Sequence, residues 1–195
     1  LGMESRQQGE RAKLDSAIQR VVEGARVFQG GGNEVIQSSL RVAVETAAID
    51  ALARLFPRFG PADHDKWGNV LRRARDGAAD SLSQVDHQGD VDKHPVCIEV
   101  RNLVGPGGKK GGEVRGHFSR PPFGWPQDAI DGALLALVAG GFLRASLNTR
   151  NVTAKEIPQG QVGVVEFQSE GSVIQTGHRI VIRALGDKID LTVNP

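Results

Sequence analysis

The chain has 195 residues, enough for one domain or two small ones, and 39% of them are hydrophobic, so a buried core can form. The net charge of +1 is too balanced to indicate nucleic acid or an anionic membrane as the partner. The one cysteine, Cys97, excludes an internal disulfide and a four-cysteine zinc site.

The first half of the chain predicts a helical region that contains one β-hairpin. Apolar residues at spacings of three and four positions predict a helix over residues 4–25. A Gly-rich turn between two short β-type runs predicts a hairpin over residues 26–37. A second helix over residues 38–55 has so broad an apolar surface that it leaves dimerisation open. Trp67 lies at helical spacing with two apolar residues, which predicts a third, short helix.

A polar stretch over residues 86–94 predicts the domain boundary, because such runs are typical of linkers. We therefore divide the chain into a helical region with a short hairpin, residues 1–86, and a second region, residues 87–195. The stretch also holds five possible metal ligands: Asp86, His87, Asp90, Asp92 and His94. Their spacing matches no compact metal motif, so we predict a solvated linker without a metal. An enzyme that uses this cluster with a metal is the alternative that a metal assay would test.

The second region predicts three helices followed by short strands. Helices are predicted over residues 95–103, 112–118 and 126–139. They are followed by a strand over residues 142–145, a turn over 148–151, and two further strands over 152–155 and 162–167. This order is typical of a winged helix. We therefore predict a mainly α fold with small β (α+β), in which an N-terminal helical region with a β-hairpin precedes a winged-helix-like region. Residues 172–193 fit a helix or a hairpin, and their apolar spacing favours the helix.

No pattern in the sequence predicts catalysis. The Gly-rich loop over residues 105–112 fails the Walker A register, because Gly108 and Lys109 are followed by Lys110 where Ser or Thr is needed. His94 and Cys97 would share a helix face, but no oxyanion motif accompanies them. We therefore predict that the chain is not an enzyme and that it has no catalytic residue and no cofactor.

A local excess of basic residues makes the second region a candidate for nucleic-acid contact. Winged helices often bind DNA through the third helix and a basic wing. The candidate contacts are Lys109, Lys110, Arg115, Arg120, Gln127, Arg144, Arg150 and Lys155. The third helix argues against base readout, because it lacks Lys and Arg and carries Asp128 and Asp131, which phosphates would repel. Packing within a larger protein or against a partner is the favoured interpretation, and a stand-alone winged-helix DNA-binding regulator is the alternative.

One string in this region resembles a known family. Pro121-Pro-Phe-Gly-Trp-Pro-Gln-Asp-Ala-Ile-Asp-Gly-Ala-Leu-Leu-Ala-Leu is similar to a segment of the large P-loop proteins of BREX-type phage defence, the BrxC/PglY family. Further matching positions are Leu55-Phe-Pro-Arg-Phe, Trp67, Val70, Gly89-Asp, His94-Pro, the Gly-Lys-Lys-Gly loop, Leu143-Arg-Ala, Thr153-Ala-Lys-Glu-Ile and Phe167-Gln-Ser-Glu. The resemblance covers residues 35–185.

The resemblance implies a cellular setting for this chain but no catalytic activity. It implies a downstream, non-ATPase region or a short relative of these bacterial proteins, located in the cytoplasm. ATP hydrolysis is not carried over to any residue, because no Walker A lysine is present. The partners implied are other defence-system subunits or the rest of a larger parent protein, with double-stranded DNA and a homodimer as further possibilities. No membrane is expected.

Overall fold

The computed structural model describes residues 2–78 and 80–170, together with Val181, Leu185 and Lys188. The chain divides into two compact units, Leu1–Pro57 and Arg58–Pro195. The fold is mainly helical with one small antiparallel sheet, which confirms the predicted α+β class. The choice between helix and hairpin for residues 172–193 lies outside the described residues, apart from the three isolated positions.

The first unit consists of two helices and a connecting loop. Helix α1 spans Gly2–Gly24 and helix α2 spans Leu40–Leu55. Helix α2 begins after Ser39, whose hydroxyl accepts a hydrogen bond from the backbone N–H of Val42 at 3.4 Å. The predicted hairpin is reduced to one antiparallel bridge between Phe28 and Glu34.

The second unit is built around a buried helix. Within residues 58–78 and 80–170 its helices are α3 (Trp67–Arg75), α4 (Pro95–Val104), α5 (Gly111–Phe118) and α6 (Gln127–Ala139). Short 3₁₀ turns lie at Gly60–Ala62, Ser81–Val85, Val91–Lys93, Ala154–Glu156 and Gln159–Val164. Helices α3, α4 and α5 all pack on α6. Residues 58–86 belong to this unit, whereas the boundary predicted from the sequence lies at residue 86.

Helix α3 approaches α6 closely at a glycine. A Cβ atom on Gly132 would lie only 3.2 Å from Cε3 of Trp67, so a larger residue would push the two helices apart. Trp67 is 2% exposed, and its indole N–H donates to the carbonyl of Ala62 at 3.0 Å. This hydrogen bond satisfies the polar end of a large core side chain.

In the part of the chain up to residue 170, four short strands form the sheet in the order β1-β4-β2-β3, with every pair antiparallel. They are β1 (Lys109–Lys110), β2 (Leu143–Leu147), β3 (Arg150–Val152) and β4 (Glu166–Ser169). Phe167 of β4 pairs with Lys109 on one side and Ala145 on the other. The strands predicted over residues 152–155 and 162–167 are therefore wrong in extent, since two 3₁₀ turns occupy much of the connection from β3 to β4.

Candidate nucleic-acid interface

Helix α6, the third helix of the predicted winged-helix-like region, is enclosed by the protein. Every residue from Ala129 to Leu137 is buried. Only the N-terminal residues Gln127 and Asp128 are exposed. A helix that is apolar on all sides is stable only when all sides are covered. Residues 129–137 of α6 therefore offer no face to a DNA groove.

Arg115 and Gln127, two of the predicted nucleic-acid contacts, are turned towards a carboxylate of α6. The Nε and Nη2 groups of Arg115 donate to the two oxygens of Asp131, each at 2.7 Å. Gln127 reaches the same carboxylate with a longer bond of 3.4 Å. Asp131 is 2% exposed, and a buried carboxylate requires such partners. Arg115 is thus committed to joining α5 and α6.

Arg144 and Arg150 lie exposed on strands β2 and β3. Arg144 donates to the side-chain carbonyl of Gln168 at 2.6 Å and lies 3.8 Å from a carboxylate oxygen of Glu170. Arg150 lies 3.7 Å from a carboxylate oxygen of Glu156. Exposed ion pairs are weak, so a phosphate can compete for these two guanidinium groups.

Lys109, Lys110, Arg120 and Lys155 form no ion pair with another residue that the structure describes. Lys109 and Lys110 constitute β1, at one edge of the sheet. Charged residues on an edge strand discourage pairing with the strands of other chains. Lys109 and Lys110 can therefore protect the edge of the sheet without binding a ligand.

Lys155 shares a cleft with two arginines that were not among the candidate contacts predicted from the sequence. Together with Arg72, Arg75 and Asp76 it lines an open cleft of about 430 Å³, called here the basic cleft. The arginines lie at the C-terminal end of α3. The run Arg72-Arg-Ala-Arg could have predicted this basic surface from the sequence. The apolar residues of α3 form its buried face, so the arginines of the run lie away from that face.

The histidines near the start of α4 form a packed cluster. The ring of His94 lies 5.1 Å from that of His87 and 5.4 Å from that of Trp67, and its Nδ1 accepts the backbone N–H of Val96 at 3.2 Å. Burial, with a smaller contribution from His87, lowers the pKa of His94 to about 4. Burial, helped by Asp92, raises the pKa of the Cys97 thiol. The described residues contain no group of three His, Cys, Asp or Glu side chains placed to bind a metal.

Comparison of this chain with models of protein families, with curated proteins and with solved structures finds no significant match. Within residues 2–78 and 80–170, no helix is both long and apolar enough to cross a membrane.

Proposed function

We propose that this chain is a non-catalytic, winged-helix-containing module of a BREX-type anti-phage defence ATPase in the bacterial cytoplasm, used for protein assembly or DNA engagement. The enclosure of α6 carries this proposal. A winged helix whose third helix is covered on all sides acts as a packing unit. Any contact with DNA is then limited to the phosphate backbone.

The order of the elements supports the winged-helix part of the proposal. Helix α4, strand β1, helices α5 and α6 and strand β2 follow one another, and β4 returns between β1 and β2. The long connection from β2 to β4, which contains β3, corresponds to a wing. Three helices with a small sheet in this arrangement are typical of the winged helix.

The exposed apolar side chains of the first unit support the assembly role. Helix α1 has no buried residue, and α2 buries only Ala43. The large exposed apolar residues are Met3, Leu14, Ile18, Val21 and Val22 on α1 and Val44, Ile49, Leu52 and Leu55 on α2. Apolar surface of this extent on two helices is typical of a protein-interaction site.

The family part of the proposal rests on the string over residues 121–137. The side chains that carry it are largely part of the core, because Phe123, Trp125 and Ile130 are buried. Trp125 stacks on Phe118 at 4.6 Å between ring centroids, and its indole N–H donates to the carbonyl of Arg58 at 2.8 Å. The buried side chains of the string therefore hold α6 in place. A structural role of this kind supports a non-catalytic module.

Co-purification tests the assembly role. The chain is co-expressed with the other subunits of a BREX-type system and recovered by a tag. We expect those subunits to co-purify with the wild type and the Glu45→Gln control, and to be lost with the double variant Ile49→Gln/Leu52→Gln. All three substitutions lie at exposed positions of α2, so thermal stability should be unchanged. Failure of the wild type to retain any subunit would contradict the proposal.

A stand-alone winged-helix DNA-binding regulator is the second candidate, because the basic cleft offers the phosphate contacts that a regulator also needs. The two functions differ in sequence preference. A regulator binds its cognate site about 10³-fold or more tightly than other DNA. With α6 enclosed, we expect no such preference, and competition between duplexes of different sequence measures it.

A further inference from the structure

We infer that the basic cleft, between the C-terminal end of α3 and the 3₁₀ turn Ala154–Glu156, binds phosphate groups of a nucleic-acid backbone. This inference deepens the DNA-engagement part of the proposed function and rests on it. The cleft belongs wholly to the second unit, and it lies outside α6, the helix that a winged helix normally inserts into the groove.

The basic cleft carries an excess of positive charge. Three cations, Arg72, Arg75 and Lys155, share it with one carboxylate, that of Asp76. None of the three cations forms an ion pair with a residue that the structure describes. Such a concentration of one sign of charge attracts anions, since like charges gathered in a cleft reinforce one another.

Arg73 differs from the cleft arginines because it is held in an ion pair. Arg73 belongs to the same helix, and its Nη2 donates to both carboxylate oxygens of Asp80 at 2.7 Å. Arg73, beside the cleft, is thus held in an ion pair, whereas neither cleft arginine forms an ion pair with a described residue, although Asp76 lines the same cleft. Arg72 donates only to the neutral side-chain oxygen of Asn69. Neither cleft arginine is therefore held in an ion pair with a described residue, and both can pair with an anionic ligand.

Arg75 supplies a second guanidinium group to the cleft. Its side chain is half-buried and lines the cleft, while its Nε atom, like that of Arg73, is buried without an acceptor among the described residues. Arginine donates in a planar fork that matches two phosphate oxygens, so Arg75 fits a phosphate better than a lysine would.

The shape of the cleft selects a polymer over a small enclosed ligand. The cleft is open to solvent at about 430 Å³, and the arginines on α3 face Lys155 from a different element. A sugar–phosphate backbone can cross such a surface, whereas a small anion would remain largely hydrated there. Basic residues at the end of a helix also compensate its dipole, and this structural role requires no ligand.

Duplex binding measured as a function of salt separates these roles. The triple variant Arg72→Gln/Arg75→Gln/Lys155→Gln is compared with Lys13→Gln/Arg20→Gln/Arg41→Gln, which removes the same charge from the first unit. With a labelled generic duplex at about 50 mM salt, we expect the cleft variant to lose roughly ten-fold in affinity and about 2.7 units of the log–log salt slope, or about 0.9 for each cation removed. The control should change affinity by less than about three-fold.

Three results would overturn the inference. Equal losses in both triple variants would show that only net charge matters. Unchanged binding by the cleft variant would place the DNA contact elsewhere. Stabilisation of the wild type by inorganic phosphate, with no binding of the duplex, would identify a free-anion site. The single variant Lys155→Gln, at an exposed position, supports the same comparison if the triple variant does not fold. The assay contains this chain alone, so failed assembly with other subunits leaves its result unaffected.

Discussion

Arg115 and Asp131 form a two-point ion pair, 2.7 Å at each contact, that joins α5 to the enclosed helix α6. The arginine that looks like a phosphate ligand in the sequence is therefore part of the internal structure of the second unit. Asp131, which looks like a charge that would repel DNA, is buried and neutralised.

Loss of Arg115 should destabilise the protein. The variant Arg115→Met leaves the Asp131 carboxylate buried without its cation, and we expect it to cost about 3 kcal/mol of the free energy of unfolding. The double variant Arg115→Met/Asp131→Leu removes both charges and should recover most of that loss. Urea denaturation measures both. A loss below about 1 kcal/mol in the single variant would show that the pair is not important for stability.

The N-terminus of α5 should not tolerate a side chain. A Cβ atom on Gly111 would lie 2.1 Å from the carbonyl oxygen of Val162, in the connection that leads to β4. We expect Gly111→Ala to cost more than about 2 kcal/mol, because two backbone segments must separate. Gly116, in the same helix, has open space at its Cβ, so Gly116→Ala should stabilise the protein by up to about 1 kcal/mol. Equal effects in urea denaturation would refute the close approach.

Acid should weaken the protein through His94. Its pKa in the folded state is about 4, below the ordinary value of 6.5. Protonation then favours the unfolded chain, so the contribution of His94 to stability is complete above pH 6.5 and declines as the pH falls towards 4.

The variant His94→Asn isolates this effect, because Asn also caps α4 but does not titrate in this range. Thermal melting of both proteins between about pH 7 and pH 4.5 is the measurement. The wild type should lose more stability than the variant over this interval. Parallel curves would show that His94 is protonated in the folded protein as readily as in the unfolded one.

The turn between β2 and β3 is strained at a threonine. Asn148 and Thr149 both have positive φ, at 51° and 65°, and a β-branched residue adopts this conformation only at a cost. Thr149→Gly places Asn-Gly in the turn and should raise stability by about 1 kcal/mol, while Thr149→Ala should gain less. Melting temperatures rank the three proteins, and a loss of stability in Thr149→Gly would contradict this account of the turn.

Local patterns were sufficient to predict the helices of this protein. The sequence predicts a helix over residues 126–139 and the structure has Gln127–Ala139, because continuous apolar residues end at two glycines. Strand β1 was not predicted. Lys109 and Lys110 lie in a Gly-rich loop, and they form a strand only because β4, more than fifty residues later, pairs with them.

The candidate site depends on long-range packing, which local patterns do not contain. Lys155 reaches Arg72 and Arg75 because α3 and the 3₁₀ turn Ala154–Glu156 both pack against α6. The commitment of Arg115 to Asp131 has the same origin, since nothing in the spacing of the two residues indicates that α5 lies on α6. Which basic residues are exposed and unpaired could therefore be learned only from the fold.

Hydrogen exchange of the full chain, measured by mass spectrometry with and without a generic duplex, tests most directly whether α6 is a packing helix. We predict slow exchange over residues 129–137 that the duplex leaves unchanged, because these residues are buried in the free protein. Protection should increase over residues 72–76 and 154–156, around the basic cleft. Rapid exchange of α6 in the free protein, or new protection of α6 when the duplex is added, would contradict the account.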